Sequence, residues 1–472
     1  MVSCWGKGFL KQRPHGPGDS DAGKGLPHCL HANLLMTWMD CLHLAQQPCW
    51  VVGSQMYDSS KLPHKGHVRG KSVSDQDVSS FVDSVNIVLN IASMMDSRNW
   101  FPTIPPSRQR HFLASQRHAM LIEINGQKLH NFASNDYLGL SVHGDVKNAA
   151  FDAIKNEGFG SGASRLVSGD DPVFHAFESE LAAWKGFEAC LLVGSGMLAN
   201  IGLLQALSDR STEIFADKLN HASLVDGCRL SEAKVKRYPH LDYARLEKQL
   251  QQNVNDNTKP KRMIVSDGVF SMDGDGADIT ILMDLANRYD ALLIVDDAHG
   301  TGTVGQDGKG LIAQAGLSGH ARLIEVGTLG KAFGSYGAYV LGSAEMIHGL
   351  RQRMRTVIYS TAIPVSAIAA ARTALDIIQT TDVVQQLQAN VAYFLECSQH
   401  LQKMPSQTAI QPVLLGSDEA ALNRAKYLRD SGFFVPAIRP PTVPEGTARL
   451  RITLSAQHTK TDIDGLVQAL TL

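Results

Sequence analysis

Short apolar segments alternate with amphipathic ones from about residue 121 to the end of the chain. The first two apolar segments, residues 121–124 and 129–132, flank Asn125-Gly126, a dipeptide that favours the tight turn of a β-hairpin. Amphipathic spacing predicts helices at residues 146–153 and 172–184. Further strands are predicted at residues 189–193, 213–216, 234–238, 263–266, 291–295, 322–326 and 337–341. Such alternation predicts an α/β domain with a large, mostly parallel sheet.

The last third of the chain has a different pattern. One long helical stretch is predicted at residues 344–378, and Ser417 is a suitable N-cap for a later helix. The mixture predicts a smaller α+β C-terminal domain. Strands are predicted at residues 409–415, 433–435 and 448–454, and helices at 417–431 and 461–470. The domains are expected to comprise an N-terminal segment (95–140), a large domain (141–345) and a C-terminal domain with its linking helix (346–472).

The first 94 residues are rich in His, Cys, Trp, Gly and Pro and show no sustained period. We expect a disordered extension, or an artefact of a start codon assigned too early, with Met94 and Met95 as candidate starts. Four of the seven cysteines fall here, but without the paired spacing of a metal site, so no metal is expected.

Composition narrows the class of protein. A chain of 472 residues with 44% apolar and 19% charged residues suits a globular protein of two or three domains. A net charge of −2 gives no reason to expect a nucleic acid or an acidic membrane as partner, and no apolar run reaches the length of a membrane span. Scattered cysteines fit a reducing compartment, so a cytoplasmic location is expected.

Three reactive side chains follow two of the predicted strands. Lys331 lies in Gly-Thr-Leu-Gly-Lys-Ala-Phe-Gly (327–334), just after one strand, and Asp296 and His299 end the strand before it. Because ligands bind at the carboxyl ends of parallel strands, we expect the three side chains to face one site. A lysine for an aldehyde, an aspartate for a ring nitrogen and a histidine for a ring hydroxyl are what pyridoxal phosphate requires.

Other strand ends carry compatible groups. The small residues around Gly196 open a predicted helix, where backbone N–H groups favour a phosphate, and Thr328 adds a hydroxyl. His221 is positioned to stack on the ring and Ser271 to hydrogen-bond near it. Arginines at 439, 449 and 451 are candidates for clamping a substrate carboxylate.

A dinucleotide site is the competing interpretation. Residues 158–163 fit G-x-G-x-x-A, but that fingerprint needs a preceding strand, and the preceding segment is predicted to be helical. A third possibility is a non-catalytic scaffold, which gives no chemical reason to keep Lys331, Asp296, His299 and Arg451 together.

The order of these motifs resembles the α-oxoamine synthases, pyridoxal-phosphate enzymes of fold type I. The resemblance covers about residues 100–472 and rests on residues 135–140, 160–165, 220–223, 296–300 and 327–334. It implies a fold type I transferase in which Lys331, His221 and Asp296 are catalytic. It also implies cofactor contacts from Gly196, Met197, Ser271, Asp296, His299, Thr328 and Lys331, and substrate contacts from His221, Arg439, Thr442, Arg451 and either Arg108 or Arg110.

Residues 165–169 and 438–444 are most similar to the members that join L-alanine to pimeloyl-CoA or a pimeloyl-carrier protein with loss of carbon dioxide. The sequence does not decide the acyl donor, and glycine with acetyl-CoA is the alternative. Residues 359–362 resemble a segment that reaches the partner subunit's phosphate, which implies a homodimer with shared active sites. Met197, where relatives often have an aromatic residue, and Asp267, where many have Glu, depart from the family pattern.

Overall fold

The computed structural model describes residues 49–52, 55–58, 101–118, 120–252 and 260–471. The chain forms two compact units, Met1–Pro102 and Thr103–Leu472. In the first unit, an antiparallel pair of strands, β1 (Cys49–Val52) and β2 (Gln55–Asp58), is described. The rest of the expected extension, with Met94 and Met95, lies outside the described residues.

The second unit contains the remaining elements. Its strands are β3 (Ser115–His118), β4 (Leu121–Ile124), β5 (Gln127–Asn131), β6 (Ala189–Val193), β7 (Glu213–Asp217), β8 (Lys234–Tyr238), β9 (Arg262–Asp267), β10 (Ala291–Asp296), β11 (Leu323–Thr328), β12 (Ala338–Gly342), β13 (Ile410–Gly416), β14 (Phe433–Phe434), β15 (Ala437–Ile438) and β16 (Ala448–Thr453). Its helices are α1 (Gly144–Glu157), α2 (Pro172–Lys185), α3 (Gly196–Leu207), α4 (Ala222–Leu230), α5 (Tyr243–Gln251), α6 (Ile279–Arg288), α7 (Leu311–Gln314), α8 (Ala344–Arg353), α9 (Arg355–Ile358), α10 (Val365–Thr380), α11 (Val383–Cys397), α12 (Asp418–Asp430) and α13 (Lys460–Thr471). The predicted α/β architecture is confirmed, as is the hairpin formed by β4 and β5.

A seven-stranded sheet forms the centre of the second unit, in the order β6-β12-β11-β10-β9-β7-β8. All pairs are parallel except those of β12, which is antiparallel to both neighbours. Its central strands are almost continuously buried, as expected for a sheet covered by helices on both faces. The sheet is therefore mostly parallel, as predicted.

Register brings the carboxyl ends of the strands together. Asp296 at the end of β10 pairs with Asp267 of β9 on one side and with Val326 of β11 on the other. On the far side of β11, Thr328 pairs with Ala338, which in turn pairs with Val193 at the end of β6. The loops after β6, β9, β10 and β11 consequently leave from one edge of the sheet.

The C-terminal part has a smaller antiparallel sheet, β13-β16-β15. A second small sheet, β14-β5-β4-β3, combines strands from the two ends of the unit, because β14 pairs in parallel with β5. Residues before α1 therefore share hydrogen bonds with residues after α12. Within the described residues, no helix is both long and apolar enough to cross a membrane.

The prediction of a single helix at residues 344–378 is wrong, because three helices occupy this range. Instead α8 and α9 are separated at Met354, and the chain leaves the helical conformation at Tyr359 before α10 begins after Pro364. Proline lacks the N–H that an internal helical position donates, so it is tolerated only at the start of a helix. The Ala362 amide, released from helical pairing, donates instead to the Ala163 carbonyl at 2.9 Å.

A charged clamp joins β7, β8 and the loop after β9. His240 lies between two carboxylates, with Nδ1 at 3.1 Å from Asp217 and Nε2 at 2.9 Å from Asp275. Burial would lower the pKa of His240, but the hydrogen bonds to Asp217 and Asp275 outweigh it and raise the pKa to about 10. The imidazole is therefore charged at neutral pH.

Replacing His240 by Gln tests the clamp. A group whose pKa is raised by folding stabilises fully below its unfolded pKa, about 6.5, and loses that contribution as the pH rises through about 10. The difference in free energy of unfolding between wild type and H240Q, measured by urea denaturation, should be largest at pH 6.5 and should shrink by pH 10. A difference that does not change with pH would contradict the charged clamp.

Candidate active site

Asp296 is a buried carboxylate at the end of the central strand β10, only 8% exposed. Its Oδ1 accepts a hydrogen bond from the Ala298 amide at 3.1 Å, and its Oδ2 accepts one from Asn200 Nδ2 at 2.6 Å. A carboxylate removed from water needs such donors to remain ionised. Asn200 comes from α3, so this contact ties the first turns after β6 to the end of β10.

His299, three residues after Asp296, is also buried. Its Nδ1 lies 2.6 Å from the hydroxyl of Tyr137. Burial, together with the positive charges of Lys331 and Arg451, holds the pKa of His299 well below its usual range, so the ring is neutral. Burial raises the pKa of Tyr137 to about 12, which keeps its phenol protonated at neutral pH.

Lys331 is half-buried in the loop after β11. Burial lowers the pKa of its amine to about 8, against the opposing charges of Asp296 and Asp267. A lysine whose pKa lies this close to neutrality has a substantial fraction of free amine, the form that attacks an aldehyde. Lys331 and Asp296 follow neighbouring strands at one edge of the sheet, and the charge of Asp296 acts on the amine of Lys331.

The N-terminus of α3 provides an open anion site. Ser195 caps the helix by accepting the Leu198 amide at 3.3 Å, and a Cβ added to Gly196 would meet nothing within 4 Å. Met197 is 42% exposed beside it. Because a helix N-terminus presents unpaired N–H groups and a positive dipole end, this loop fits a phosphate.

Thr328 lies on the same edge of the sheet as the α3 N-terminus, through the register of β11, β12 and β6. Its hydroxyl donates to the Gly337 carbonyl at 3.0 Å and accepts the Gly330 amide at 3.1 Å. The hydroxyl therefore shapes the loop that leads to Lys331.

His221 is the N-cap residue of α4, and its side chain is partly buried and partly exposed. Its backbone N–H donates to Asp267 Oδ2 at 2.8 Å. Burial, and next the charge of Asp296, raise the pKa of Asp267 well above its usual range. Asp267 was noted in the sequence only as a departure from the family pattern, and its link to His221 was not predicted.

Arg451 on β16 is the arginine that the structure directs toward the site. Its Nε donates to the Ser271 carbonyl at 2.5 Å, and its Nη2 donates to Asn135 Oδ1 at 3.1 Å. Ser271 thus meets Arg451 through its backbone. The alternative, Arg449, is buried against Asp273 with Nη1 at 2.5 Å from Oδ1, so it is committed to a structural ion pair.

Four other candidates lie together near the N-terminal segment. Arg439 donates from Nη1 to the Ser107 carbonyl, and the amide of Thr442 donates to the Arg439 carbonyl at 3.1 Å. Arg108 lies 3.3 Å from Asp418 and 2.8 Å from Glu445, and Arg110 is exposed. In this structure Arg108 and Arg439 join the segment around Ser107 to residues between β13 and β16.

Several site residues were not predicted as such. Asn200, Asn135 and Tyr137 hold Asp296, Arg451 and His299. Asn135 and Tyr137 belong to residues 135–140, a segment that the sequence had already marked, so the signal was their membership in a motif, and Asn200 lies in the predicted helix that follows Gly196. What the sequence could not supply was the partner of each side chain, because the partners are distant in the chain.

The competing dinucleotide interpretation fails on local structure. The segment before residues 158–163 is the helix α1, and Glu157 is followed directly by Gly158 at the C-cap. The fingerprint requires a strand in that place.

Comparison with known proteins agrees with this geometry. A family model described as aminotransferase class I and II matches residues 127–470. The chain is 46% identical over 366 residues to the 8-amino-7-oxononanoate synthase of Hydrogenovibrio crunogenus, an alignment that covers 77% of this chain and 91% of the relative. The chain belongs to the 8-amino-7-oxononanoate synthase family.

Solved structures related to this family have the same fold. The 8-amino-7-oxononanoate synthase of Francisella tularensis matches with a TM-score of 0.63 and 29% identity, over 73% of this chain and 97% of that one. A lysine-to-alanine variant of serine palmitoyltransferase from S. paucimobilis, with bound PLP-myriocin aldimine, matches with a TM-score of 0.72 and 26% identity, over 76% and 90%. The predicted fold type I architecture is thereby confirmed.

Pyridoxal phosphate is the cofactor that the family and its PLP-bound structural neighbours indicate. The residues present fit it. The open N-terminus of α3 suits its phosphate, the amine of Lys331 suits its aldehyde, and the buried carboxylate of Asp296 suits a protonated ring nitrogen. The chain is therefore a PLP-dependent, acyl-transferring enzyme, as members of this family are.

Cofactor capture by the cofactor-free protein should depend on the free amine of Lys331. Because burial places the pKa of Lys331 at about 8, the rate of attachment should rise with pH with a midpoint of about 8. Stopped-flow absorbance after mixing with pyridoxal phosphate between pH 6.5 and 9.5 measures this rate. A midpoint near the ordinary lysine value would contradict the buried site, and K331A should show no borohydride-trapped adduct.

Proposed function

We propose that this enzyme condenses L-alanine with pimeloyl-CoA, or with a pimeloyl-carrier protein, to give 8-amino-7-oxononanoate, CoA and carbon dioxide in biotin biosynthesis. The observation that carries the proposal is one site containing Lys331, Asp296, His299 and Arg451 in a chain 46% identical to a named synthase of this kind. The expected compartment is the cytoplasm.

Arg451 is the proposed anchor for the carboxylate of alanine. All three of its nitrogens already donate one hydrogen bond, Nε to the Ser271 carbonyl, Nη1 to the Thr453 hydroxyl and Nη2 to Asn135, which pre-orients the guanidinium and leaves one N–H free on each Nη. A planar guanidinium held in one orientation binds a carboxylate with defined geometry. Arg451 then presents the α-carbon of alanine to Lys331.

Lys331 is the proposed base. When bound, pyridoxal phosphate supplies an aldehyde that joins the amino group of the substrate and a ring that withdraws electrons from the α-carbon. The amine of Lys331, with its pKa lowered to about 8, is suited to accept the α-proton at Nζ and later to return it. Asp296 is proposed to keep the ring nitrogen protonated, and His299 to contact the ring oxygen.

The phosphate and acyl contacts are assigned on the same basis. Gly196 and Met197 at the start of α3, with Thr328, are proposed to hold the phosphate, and Ser271 to support the ring. Arg439 and Thr442 are proposed to line the acyl path. Arg108 and Arg110 are the other proposed contacts of the acyl substrate. In this structure Arg108 is paired with Asp418 and Glu445.

A homodimer with shared active sites is part of the proposal. Several large apolar side chains are exposed on segments that contact one another through the Ala362–Ala163 hydrogen bond. Exposed apolar clusters of this kind are typical of protein–protein interfaces. Phe159, Leu166, Val167 and Tyr359 are 78%, 71%, 78% and 70% exposed.

The substrate pair is tested by thiol release. Purified holoenzyme with L-alanine and pimeloyl-CoA should release CoA, whereas glycine with acetyl-CoA should not, and K331A should release none above background. Release with only the second pair would keep the fold and the cofactor and would overturn the assigned substrates. Release by K331A at the wild-type rate would overturn the role of Lys331.

Replacing Arg451 by Ala should weaken alanine binding most. Loss of a charge-assisted, bidentate contact should raise the KM for L-alanine by about 10² or more, with a smaller effect on the KM for the acyl donor. Steady-state kinetics, with each substrate varied in turn, measure the KM for L-alanine and the KM for the acyl donor separately. The exposed Arg353 offers a control, and an unchanged alanine KM in R451A would contradict the proposed anchor.

A further inference from the structure

A chain of hydrogen bonds runs from Asp296 to His221 through two side chains that the proposed reaction does not use. Asn200 is fully buried, with Nδ2 at 2.6 Å from Asp296 Oδ2 and at 2.8 Å from Ser223 Oγ. An ionised carboxylate only accepts hydrogen bonds, so the atom of Asn200 that faces it must be the amide nitrogen. Both hydrogens of that nitrogen are then used, one on Asp296 and one on Ser223.

This fixes the direction of the next hydrogen bond. Because Ser223 Oγ accepts from Asn200, its own hydrogen is available for the ring nitrogen Nδ1 of His221, at 2.7 Å. The backbone N–H of Ser223 also donates to Nδ1, at 3.2 Å. Two donors converge on Nδ1, so Nδ1 carries a lone pair, and the single proton of the neutral ring resides on Nε2.

The surroundings of His221 favour the neutral ring. Burial lowers the pKa of His221, and the charge of Lys331 lowers it further, whereas Asp296 and Asp226 act in the opposite direction. Asp267 meets His221 only through the backbone N–H. The hydroxyl donated to Nδ1 adds to the stabilisation of the neutral form, because a protonated Nδ1 could not accept it.

We propose that Asn200 and Ser223 are positioning residues that hold His221 as the Nε2–H tautomer, so that His221 donates a hydrogen bond to a substrate oxygen and does not act as a base. The inference deepens the proposed function and rests on it for the identity of the substrate. A base at this position would need a lone pair on Nε2, which the relay removes. The same amide nitrogen of Asn200 links this tautomer to the carboxylate of Asp296.

The tautomer is measured directly by NMR of the protein labelled with ¹⁵N in the histidine rings, with and without pyridoxal phosphate. His221 should show a hydrogen bonded to Nε2 and none on Nδ1, and its signals are assigned by their absence in H221Q. A proton on Nδ1, or on both nitrogens near neutral pH, would overturn the proposal. Since no substrate is needed, this outcome is separate from failure of the proposed reaction.

Variants of Ser223 test the relay itself. In S223A the tautomer should no longer be uniform, and the pKa of His221, followed through the same ring ¹⁵N signals, should rise, because the neutral ring loses a donor. S223T keeps a hydroxyl and should restore both readouts. Ser231, at the other end of α4 and bonded to the Cys228 carbonyl, is the matched control. A wild-type tautomer and a wild-type titration of the His221 ring in S223A would refute the relay.

The donor role is tested at His221. A glutamine at this position offers an amide N–H but no basic nitrogen, so H221Q should keep kcat/KM within about tenfold of wild type, whereas H221A should lose about 10² to 10³. Equal losses in the two variants would show that a donor does not suffice, and would overturn this part of the proposal. Both variants are to be compared only after their cofactor spectra show full loading.

Discussion

Two carboxyl groups lie side by side, in register, at the ends of adjacent parallel strands, and the site is organised around that constraint. Asp267 and Asp296 are both buried and adjacent. Two neighbouring carboxyl groups that are removed from water cannot both be ionised without strong stabilisation. The protein resolves this by giving them different partners. Asp296 receives two hydrogen-bond donors, while Asp267 accepts one backbone N–H, and its pKa is raised well above its usual range. The carboxyl of Asp296, which has the larger number of donors, is therefore the one suited to pair with a cation.

A second set of buried charges lies behind this edge of the sheet. Lys185 of α2 is paired with Glu325 of β11, and its ammonium also donates to Thr301 at 3.0 Å. Asp297, the residue after Asp296, is fully buried near the same ammonium, and burial raises its pKa to about 8. Buried ion pairs contribute little net stability, but removing one partner leaves an uncompensated charge. This set therefore fixes the loop that carries His299 more than it stabilises the fold.

The sequence predicted the strands well because each is a short apolar run ended by polar or small residues. It also predicted the group at each strand end, since Asp296, His299 and Lys331 directly follow such runs. The single helix expected between residues 344 and 378 was wrong, because apolar periodicity continues through residues 359–364 while Pro364 prevents helical hydrogen bonding.

The other features that the sequence did not predict are contacts between particular side chains. Asn200 and Asp296 are far apart in the chain, and no periodicity reports that contact. Arg449 and Arg451 lie two residues apart on one strand. Arg449 is buried against Asp273, whereas Arg451 donates hydrogen bonds to Ser271 and Asn135. Only the fold separates them, so their roles could not be read from residue type alone.

The shared sheet of β5 and β14 has a consequence for the order of events during synthesis. His130 pairs with Phe433, and Phe132 donates to the Phe434 carbonyl at 3.0 Å, so strands made early in translation depend on residues that are made only after the seven-stranded sheet. Until then β3, β4 and β5 form a small sheet with an open edge, and such edges are prone to pair with other chains. The nascent polypeptide keeps this edge unpaired while β6 to β12 are translated, which makes that interval a period of increased risk of aggregation.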